Sequence, residues 1–93
     1  MKIFLDSADV NAILPLVETG LVDGVTTNPS LVAQTGRSLH ETLKVLTEVV
    51  PGPISAEVVA SDYDGMMKEA DALIRLGSNI VIKVPLNAPG LRV

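Results

Sequence analysis

The segment Asn79-Ile-Val-Ile-Lys-Val-Pro85 decides the fold and carries the least expected side chain of the sequence. Its β-branched run predicts a strand from Asn79 to Val84, which the proline ends. Side chains alternate across a strand, so the aliphatic residues at even positions share one face, while Val81 and Lys83 share the other. The same contrast between two faces recurs in the other strands of the chain.

Three further segments have strand character, and segments of helical periodicity separate them. The strands are predicted at Lys2–Asp6, Gly24–Asn28 and Ile54–Val59, and the helices at Asp9–Thr19, at Leu39–Val50 and from Ser61 or Asp62 to a stop at Gly77. One helical turn is predicted at Ser30–Gln34, and Pro15 is expected to shorten or kink the first helix. Strands that alternate with helices predict a parallel sheet with right-handed crossovers.

The two longer helices each predict one buried stripe, because their apolar residues recur at spacings of three and four. These stripes are Leu39, Leu43, Leu46 and Val50 on the second helix, and Met66, Met67, Ala70, Leu73 and Ile74 on the third.

The predicted strands have one aliphatic face and one mixed face. The aliphatic face holds Ile3, Leu5, Val25, Thr27, Ile54, Ala56, Val58, Ile80, Ile82 and Val84. The mixed face becomes polar toward the carboxyl ends of the strands and holds Phe4, Asp6, Thr26, Asn28, Ser55, Glu57, Val59, Val81 and Lys83. A sheet with helices on both faces needs two apolar faces, so helices are expected on one face alone. Polar groups at the carboxyl strand ends are typical of the active site of a (β/α) barrel.

We therefore expect an α/β fold of the parallel (β/α) TIM-barrel type, as a single domain over residues 1–93. The sequence predicts four strands and about three helices, whereas a full barrel has eight βα units and about 200 residues or more. The expected architecture is a half-barrel with open edges at the first and fourth strands. Because open sheet edges invite pairing, the expected partner is a second copy in a homo-oligomer or a complementing barrel half.

Composition excludes several classes of protein. Of the 93 residues, 47% are apolar, which excludes disorder, and with 2% aromatic residues the core must consist of aliphatic side chains and methionine. The absence of cysteine excludes a disulfide scaffold and a thiol nucleophile, and a single histidine argues against a His-rich metal site. A net charge of −4 argues against a nucleic-acid partner. With no signal-peptide core and no apolar run of about 20 residues, we expect a cytoplasmic protein with no membrane partner. We also expect no cofactor and no metal.

Lys83 is the first candidate for chemistry. An amine inside an apolar strand is desolvated, which favours its neutral form, and a neutral amine can attack a carbonyl to form a Schiff base. The alternative is a lysine on an edge strand whose charged end reaches solvent. The carboxylates on the same face favour the chemical interpretation.

Asp6 and Glu57 are the carboxylates on that face. A Schiff-base cycle needs proton transfers, and two carboxylates in different surroundings can divide them. The alternative for Asp6 is a helix cap, and the alternative for Glu57 is a structural salt bridge to Lys83. Asn28 and Thr26 lie on the same face and could bind substrate hydroxyls, although Asn28 also stands in a turn and helix-start sequence.

These residues resemble the transaldolase family. Gly24-Val-Thr-Thr-Asn-Pro-Ser-Leu-Val32 looks like its signature around the second barrel strand, and Lys2-Ile-Phe-Leu-Asp-Ser-Ala8 looks like its first strand. Ile80-Val-Ile-Lys-Val-Pro85, with Gly90-Leu91 behind it, looks like the segment that carries its Schiff-base lysine. The match covers almost the whole chain and is closest to the short bacterial-type transaldolases, which are similar to fructose-6-phosphate aldolases. It corresponds to the N-terminal half of the barrel.

The resemblance implies a class I aldol mechanism on sugar phosphates. Lys83 would form the Schiff base with a ketose phosphate, Asp6 would deprotonate the hydroxyl during carbon–carbon cleavage, and Glu57 would act through a water as acid and base. Asn28 would hold the dihydroxyacetone unit, and Thr26 would line the same pocket. The fructose-6-phosphate aldolase branch typically has Gln in place of Glu57, so the carboxylate favours transfer of the three-carbon unit over its release.

Two features depart from the family pattern. Asn87 stands where the family usually has Thr, and Pro89 is unusual before the glycine. Asn87 either replaces a hydroxyl donor near the site or makes a turn. The length also leaves the family's phosphate-binding arginines and the residue that positions the catalytic water outside the chain, so a non-catalytic half-barrel that serves as an assembly module is the second hypothesis. A deoxyribose-phosphate-type aldolase would explain Lys83 but not the Thr-Thr-Asn-Pro segment.

Overall fold

The computed structural model describes residues 1–93 and contains nine elements, four strands and five helices, with one or two helices after each strand. In chain order they are β1 (Phe4–Asp6), α1 (Val10–Val17), β2 (Gly24–Thr26), α2 (Pro29–Gln34), α3 (Leu39–Val49), β3 (Ile54–Glu57), α4 (Tyr63–Ile74), β4 (Ile80–Lys83) and α5 (Ala88–Arg92).

The four strands form one parallel sheet in the order β1-β2-β3-β4. The predicted α/β half-barrel is therefore confirmed, and β1 and β4 are its edge strands. Each strand is shorter than predicted, since β1 begins at Phe4 and β3 ends at Glu57. Single backbone hydrogen bonds continue beyond these ends, from the Thr27 amide to the Ser55 carbonyl at 3.2 Å and from the Val58 amide to the Lys83 carbonyl at 3.2 Å.

Two short helices raise the number of helices to five, and both begin in the same way. Asn28 caps α2 by accepting a hydrogen bond from the Leu31 amide at 2.9 Å. Asn87 caps α5 by accepting from the Gly90 amide at 2.8 Å. In each, a proline occupies the first helical turn, where its missing N–H costs nothing. Of the two roles that the sequence allows for Asn87, the structure shows the turn-making one.

Pro15 shortens the first helix as predicted. Helix α1 spans eight residues, with Asp9 as its N-cap, and its side chain accepts from the amides of Asn11 and Ala12. A proline in the sixth position removes one backbone donor, so the helix stops soon after it.

The core lies on one face of the sheet, between the strands and the helices. The buried cluster consists of Ile13, Val25, Leu43, Leu46, Val50, Ile54, Ala56, Val58, Met66, Ala70, Leu73 and Ile80. The predicted stripe of α3 is confirmed, since Leu43 and Leu46 are fully buried. In α4, Ile74 was predicted to be buried but is 48% exposed. It follows Leu73 by about 100° around the helix, which turns its side chain away from the sheet.

Asn79 fixes the connection that leads from α3 into β3. Its side-chain amide donates to the carbonyl of Val50 at 3.2 Å and to that of Gly52 at 3.0 Å. The backbone carbonyl of Asn79 accepts from the Ile54 amide at 2.9 Å, so one residue sets the start of both β3 and β4.

We predict that Asn79→Ala lowers the free energy of unfolding by about 1–3 kcal/mol, because two partly buried carbonyls lose their donor. Urea unfolding of the chain measures the effect. Asn11→Ala is the matched control, because the Asn11 side chain makes no hydrogen bond and the residue is exposed. Equal stability of Asn79→Ala and the unchanged chain would contradict this role.

Candidate active site

The face of the sheet opposite the core is open, and the strand register brings the predicted residues together on it. Asp6 of β1 pairs with Thr26 of β2, and Thr26 pairs with Ser55 of β3. One step further toward the carboxyl ends, Glu57 of β3 pairs with Lys83 of β4. The parallel ladders therefore collect side chains from all four strands at one edge of the open face.

Asp6 is hydrogen-bonded within the site and does not cap a helix. The Thr26 hydroxyl donates to Asp6 Oδ1 at 3.0 Å. The capping role that the sequence also allowed for Asp6 belongs to Asp9. Asp6 is exposed and accepts a single side-chain hydrogen bond, so its carboxylate can accept a proton from a bound molecule.

Lys83 and Glu57 form the central pair of the site. Lys83 Nζ lies 3.9 Å from Glu57 Oε2, and the two side chains are 50% and 28% exposed. The salt bridge that was the alternative for Glu57 is thus present, and it places the carboxylate beside the Lys83 amine. Desolvation of Lys83 was expected from its apolar strand. The side chain is half exposed because no layer covers this face and β4 is an edge strand.

Asn28 combines a structural role with access to the site. Its Oδ1 accepts from the Leu31 amide, so the helix-start interpretation of Asn28 is correct. Its side-chain NH2 group has no acceptor among the hydrogen bonds of the structure. A donor held by a capped helix at the carboxyl end of β2 suits a hydroxyl or carbonyl oxygen of a ligand.

Ser55 lies on the polar face, where the sequence placed it without assigning it a role. It lies between Thr26 and Val81 in the sheet, and its hydroxyl is buried without a hydrogen-bond partner. The signal was its position two residues before Glu57, which puts both side chains on one face of β3.

An apolar floor lies below these polar groups. The Phe4 ring is 45% exposed and lies over Gly24, where an added Cβ would come within 2.5 Å of ring atom Cε2. Val81, 50% exposed, belongs to the same open face. The gradient from apolar to polar along the strands, predicted from the alternation, is present in the structure.

The fold and the open polar face define a (β/α) half-barrel with a candidate site at the carboxyl ends of its strands. The family model for transaldolase/fructose-6-phosphate aldolase matches residues 3–93, and the chain belongs to this family.

Relatives agree with this family. The chain is 55% identical over 92 residues to the probable transaldolase of Geotalea uraniireducens (strain Rf4). This match covers 99% of this chain and 43% of the relative. It is 56% identical over 92 residues to the probable transaldolase of Anaeromyxobacter sp. (strain K), with 99% and 42% covered. The corresponding protein of Geobacter metallireducens (strain ATCC 53774 / DSM 7210 / GS-15) is 56% identical over 92 residues, with 99% and 43% covered. The chain therefore spans less than half the length of these relatives.

No helix of the structure is both long and apolar enough to cross a bilayer.

We predict that the Lys83–Glu57 pair adds little to stability. A half-exposed pair at 3.9 Å contributes about 1 kcal/mol or less, because solvent screens it and both side chains lose freedom. A double-mutant cycle of Lys83→Met and Glu57→Gln, followed by urea unfolding, measures the coupling energy. A coupling above about 2 kcal/mol would favour a purely structural salt bridge.

Proposed function

We propose that this chain supplies the Schiff-base machinery of a transaldolase that transfers a dihydroxyacetone unit between sugar phosphates. The observation that carries the proposal is the Lys83 amine 3.9 Å from the Glu57 carboxylate, on the same open face as the hydrogen-bonded Asp6. The substrates would be those of the pentose phosphate pathway. Sedoheptulose 7-phosphate and glyceraldehyde 3-phosphate would interconvert with erythrose 4-phosphate and fructose 6-phosphate.

Lys83 and Glu57 serve imine formation in this mechanism. The neutral amine attacks the ketone carbon and forms a carbinolamine, which loses its hydroxyl as water to give the protonated imine. Glu57 donates the proton through a water and takes one back when the imine is hydrolysed. This task requires the Glu57 carboxylate to reach, through one water, the carbon atom that Lys83 attacks. Its position beside Lys83 suits this task.

Asp6 serves carbon–carbon cleavage. It takes the proton from the hydroxyl on the carbon that becomes the aldehyde. As the carbon–carbon bond breaks, the aldehyde leaves, and the electron pair of the bond moves toward the imine to form an enamine. The enamine then attacks the incoming aldehyde, and Asp6 returns the proton to the new hydroxyl. In this mechanism, the Asn28 amide and the Thr26 hydroxyl would bind the hydroxyls of the dihydroxyacetone unit.

A fructose-6-phosphate aldolase and a non-catalytic assembly module are the alternatives. An aldolase would release dihydroxyacetone, and a module would bind no ketose at all. Glu57 favours transfer over release, because the resemblance associates an amide at this position with the aldolase branch.

We predict that fructose 6-phosphate and borohydride give a stable mass adduct on Lys83, because reduction of the imine fixes the sugar to the amine. Peptide mass spectrometry locates the adduct. Lys83→Met should abolish it, while Lys68→Met, which removes an exposed lysine from α4, should leave it unchanged.

Folded protein with no adduct on Lys83 would contradict the first chemical step and favour the assembly module. When the adduct forms, erythrose 4-phosphate added without borohydride separates the two enzymes. Sedoheptulose 7-phosphate as the product supports transfer, whereas free dihydroxyacetone identifies an aldolase.

We further propose that the edge strands β1 and β4 pair with strands of another polypeptide segment in the functional protein. Unpaired strand edges and an exposed Phe4 and Val81 favour association. The partner would be a second copy of the chain or a complementing barrel half, since the chain spans 43% of its relative from Geotalea uraniireducens.

We predict that size-exclusion chromatography with light scattering shows self-association of the purified chain. A stable, well-folded monomer over a range of concentrations would contradict this association. Addition of the remaining segment of a relative tests the complementing half.

A further inference from the structure

The loop that follows Glu57 is held by a carboxylate that the mechanism above does not use. This carboxylate belongs to Glu69 in the second turn of α4. Its Oε2 accepts from the Val59 amide at 2.7 Å, and its Oε1 accepts from the Ala60 amide at 2.9 Å. Both oxygens are therefore committed to two successive backbone donors of the loop.

Packing holds the first residue of this loop, since Val58 is 3% exposed and belongs to the buried cluster, whereas the next residues depend on polar contacts. Between β3 and Asp62, the loop has one further hydrogen bond, from the Val58 amide to the Lys83 carbonyl at 3.2 Å. Val59 is 70% exposed, and an open groove of about 380 Å³ that Val59 helps to line runs between α3 and α4. The direction in which the chain leaves Glu57 thus depends on the burial of Val58, on its backbone bond to β4 and on the two bonds that Val59 and Ala60 donate to Glu69.

Hydrogen bonds from backbone amides to an ionised carboxylate are among the stronger ones in proteins. A pair of them, formed by both oxygens of one side chain, fixes the orientation of two consecutive peptide groups. Because Val59 is the second residue after Glu57, we expect loss of this contact to loosen the peptide groups that follow Val58 and, with them, the carboxyl end of β3. The Glu57 side chain then has more room to move relative to Lys83, which lies on the neighbouring strand.

We propose that Glu69 is a positioning residue, which holds the β3–α4 loop so that the Glu57 carboxylate stays beside the Lys83 amine. This inference rests on the proposed Schiff-base function for its kinetic consequence. The contact itself and its effect on the geometry of Glu57 are independent of that function.

The test replaces Glu69 with an isosteric side chain that cannot accept twice in the same way. In Glu69→Gln, one oxygen can still accept, but the amide nitrogen faces a second backbone donor. Asp71→Asn is the matched control, since it removes a carboxylate from an exposed position on the same helix.

Amide hydrogen exchange and NOE spectra give a readout that needs no substrate. In Glu69→Gln, we expect faster exchange of the Val59 and Ala60 amides and weaker NOEs between the Glu57 and Lys83 side chains. Asp71→Asn should leave both unchanged. Unaltered exchange and NOEs in Glu69→Gln would overturn the proposal, whatever the activity of the chain.

Trapping kinetics then test whether Glu69 acts through Glu57. With fructose 6-phosphate and borohydride, we expect Glu69→Gln to slow adduct formation roughly 10-fold, since small displacements of a catalytic group are costly. In the Glu57→Ala background, which leaves no polar group to position, the same change should have almost no further effect. An equal loss in both backgrounds would show a merely structural role and would overturn the proposal. Absence of an adduct in the unchanged chain would contradict the proposed function, and the NOE result would still decide the role of Glu69.

Discussion

The register between β3 and β4 is the constraint on which the rest of the site depends. Ile54 pairs with Ile80, and Glu57 pairs with Lys83, so both strands place their aliphatic residues on the helix side at the same positions. A slip of one residue would turn Lys83 into the core and expose Ile82 on the opposite face. Burial of Ile54, Ala56 and Val58 therefore fixes the same register that brings the amine to the carboxylate. One ladder therefore sets both the burial of the core and the position of the Lys83–Glu57 pair.

Helices cover only one face of the sheet, and this arrangement explains most of the remaining features of the structure. The aliphatic face is closed by α1, α3 and α4, and the polar face has no layer of its own. Lys83 is half exposed and the Phe4 ring is accessible for this reason. In a closed barrel the interior is filled by side chains from all strands, so a half-barrel presents groups that a whole barrel encloses. The family membership and the coverage of less than half of the relatives agree with this picture.

Alternation along the strands was enough to predict the fold class and the face on which Asp6, Thr26, Glu57 and Lys83 lie. The same alternation could not decide which carboxylate caps α1, because Asp6 and Asp9 both precede the helix and the choice depends on where the turn begins. The exposure of the Lys83 side chain was not predictable from the strand either, since it depends on whether another layer covers this face of the sheet. The double role of Asn28 was open for a similar reason, because one amide can cap a helix with its oxygen and present its NH2 group to a ligand.

Hydrogen-bond scalar couplings between backbone nitrogen and carbonyl carbon test the β3–β4 register most directly. We expect a coupling from the Val58 amide to the Lys83 carbonyl and one from the Ile54 amide to the Asn79 carbonyl. These two couplings place Glu57 beside Lys83 on the open face. A coupling from Val58 to the carbonyl of Ile82 or Val84 would show a shifted ladder and would contradict the pairing on which the site depends.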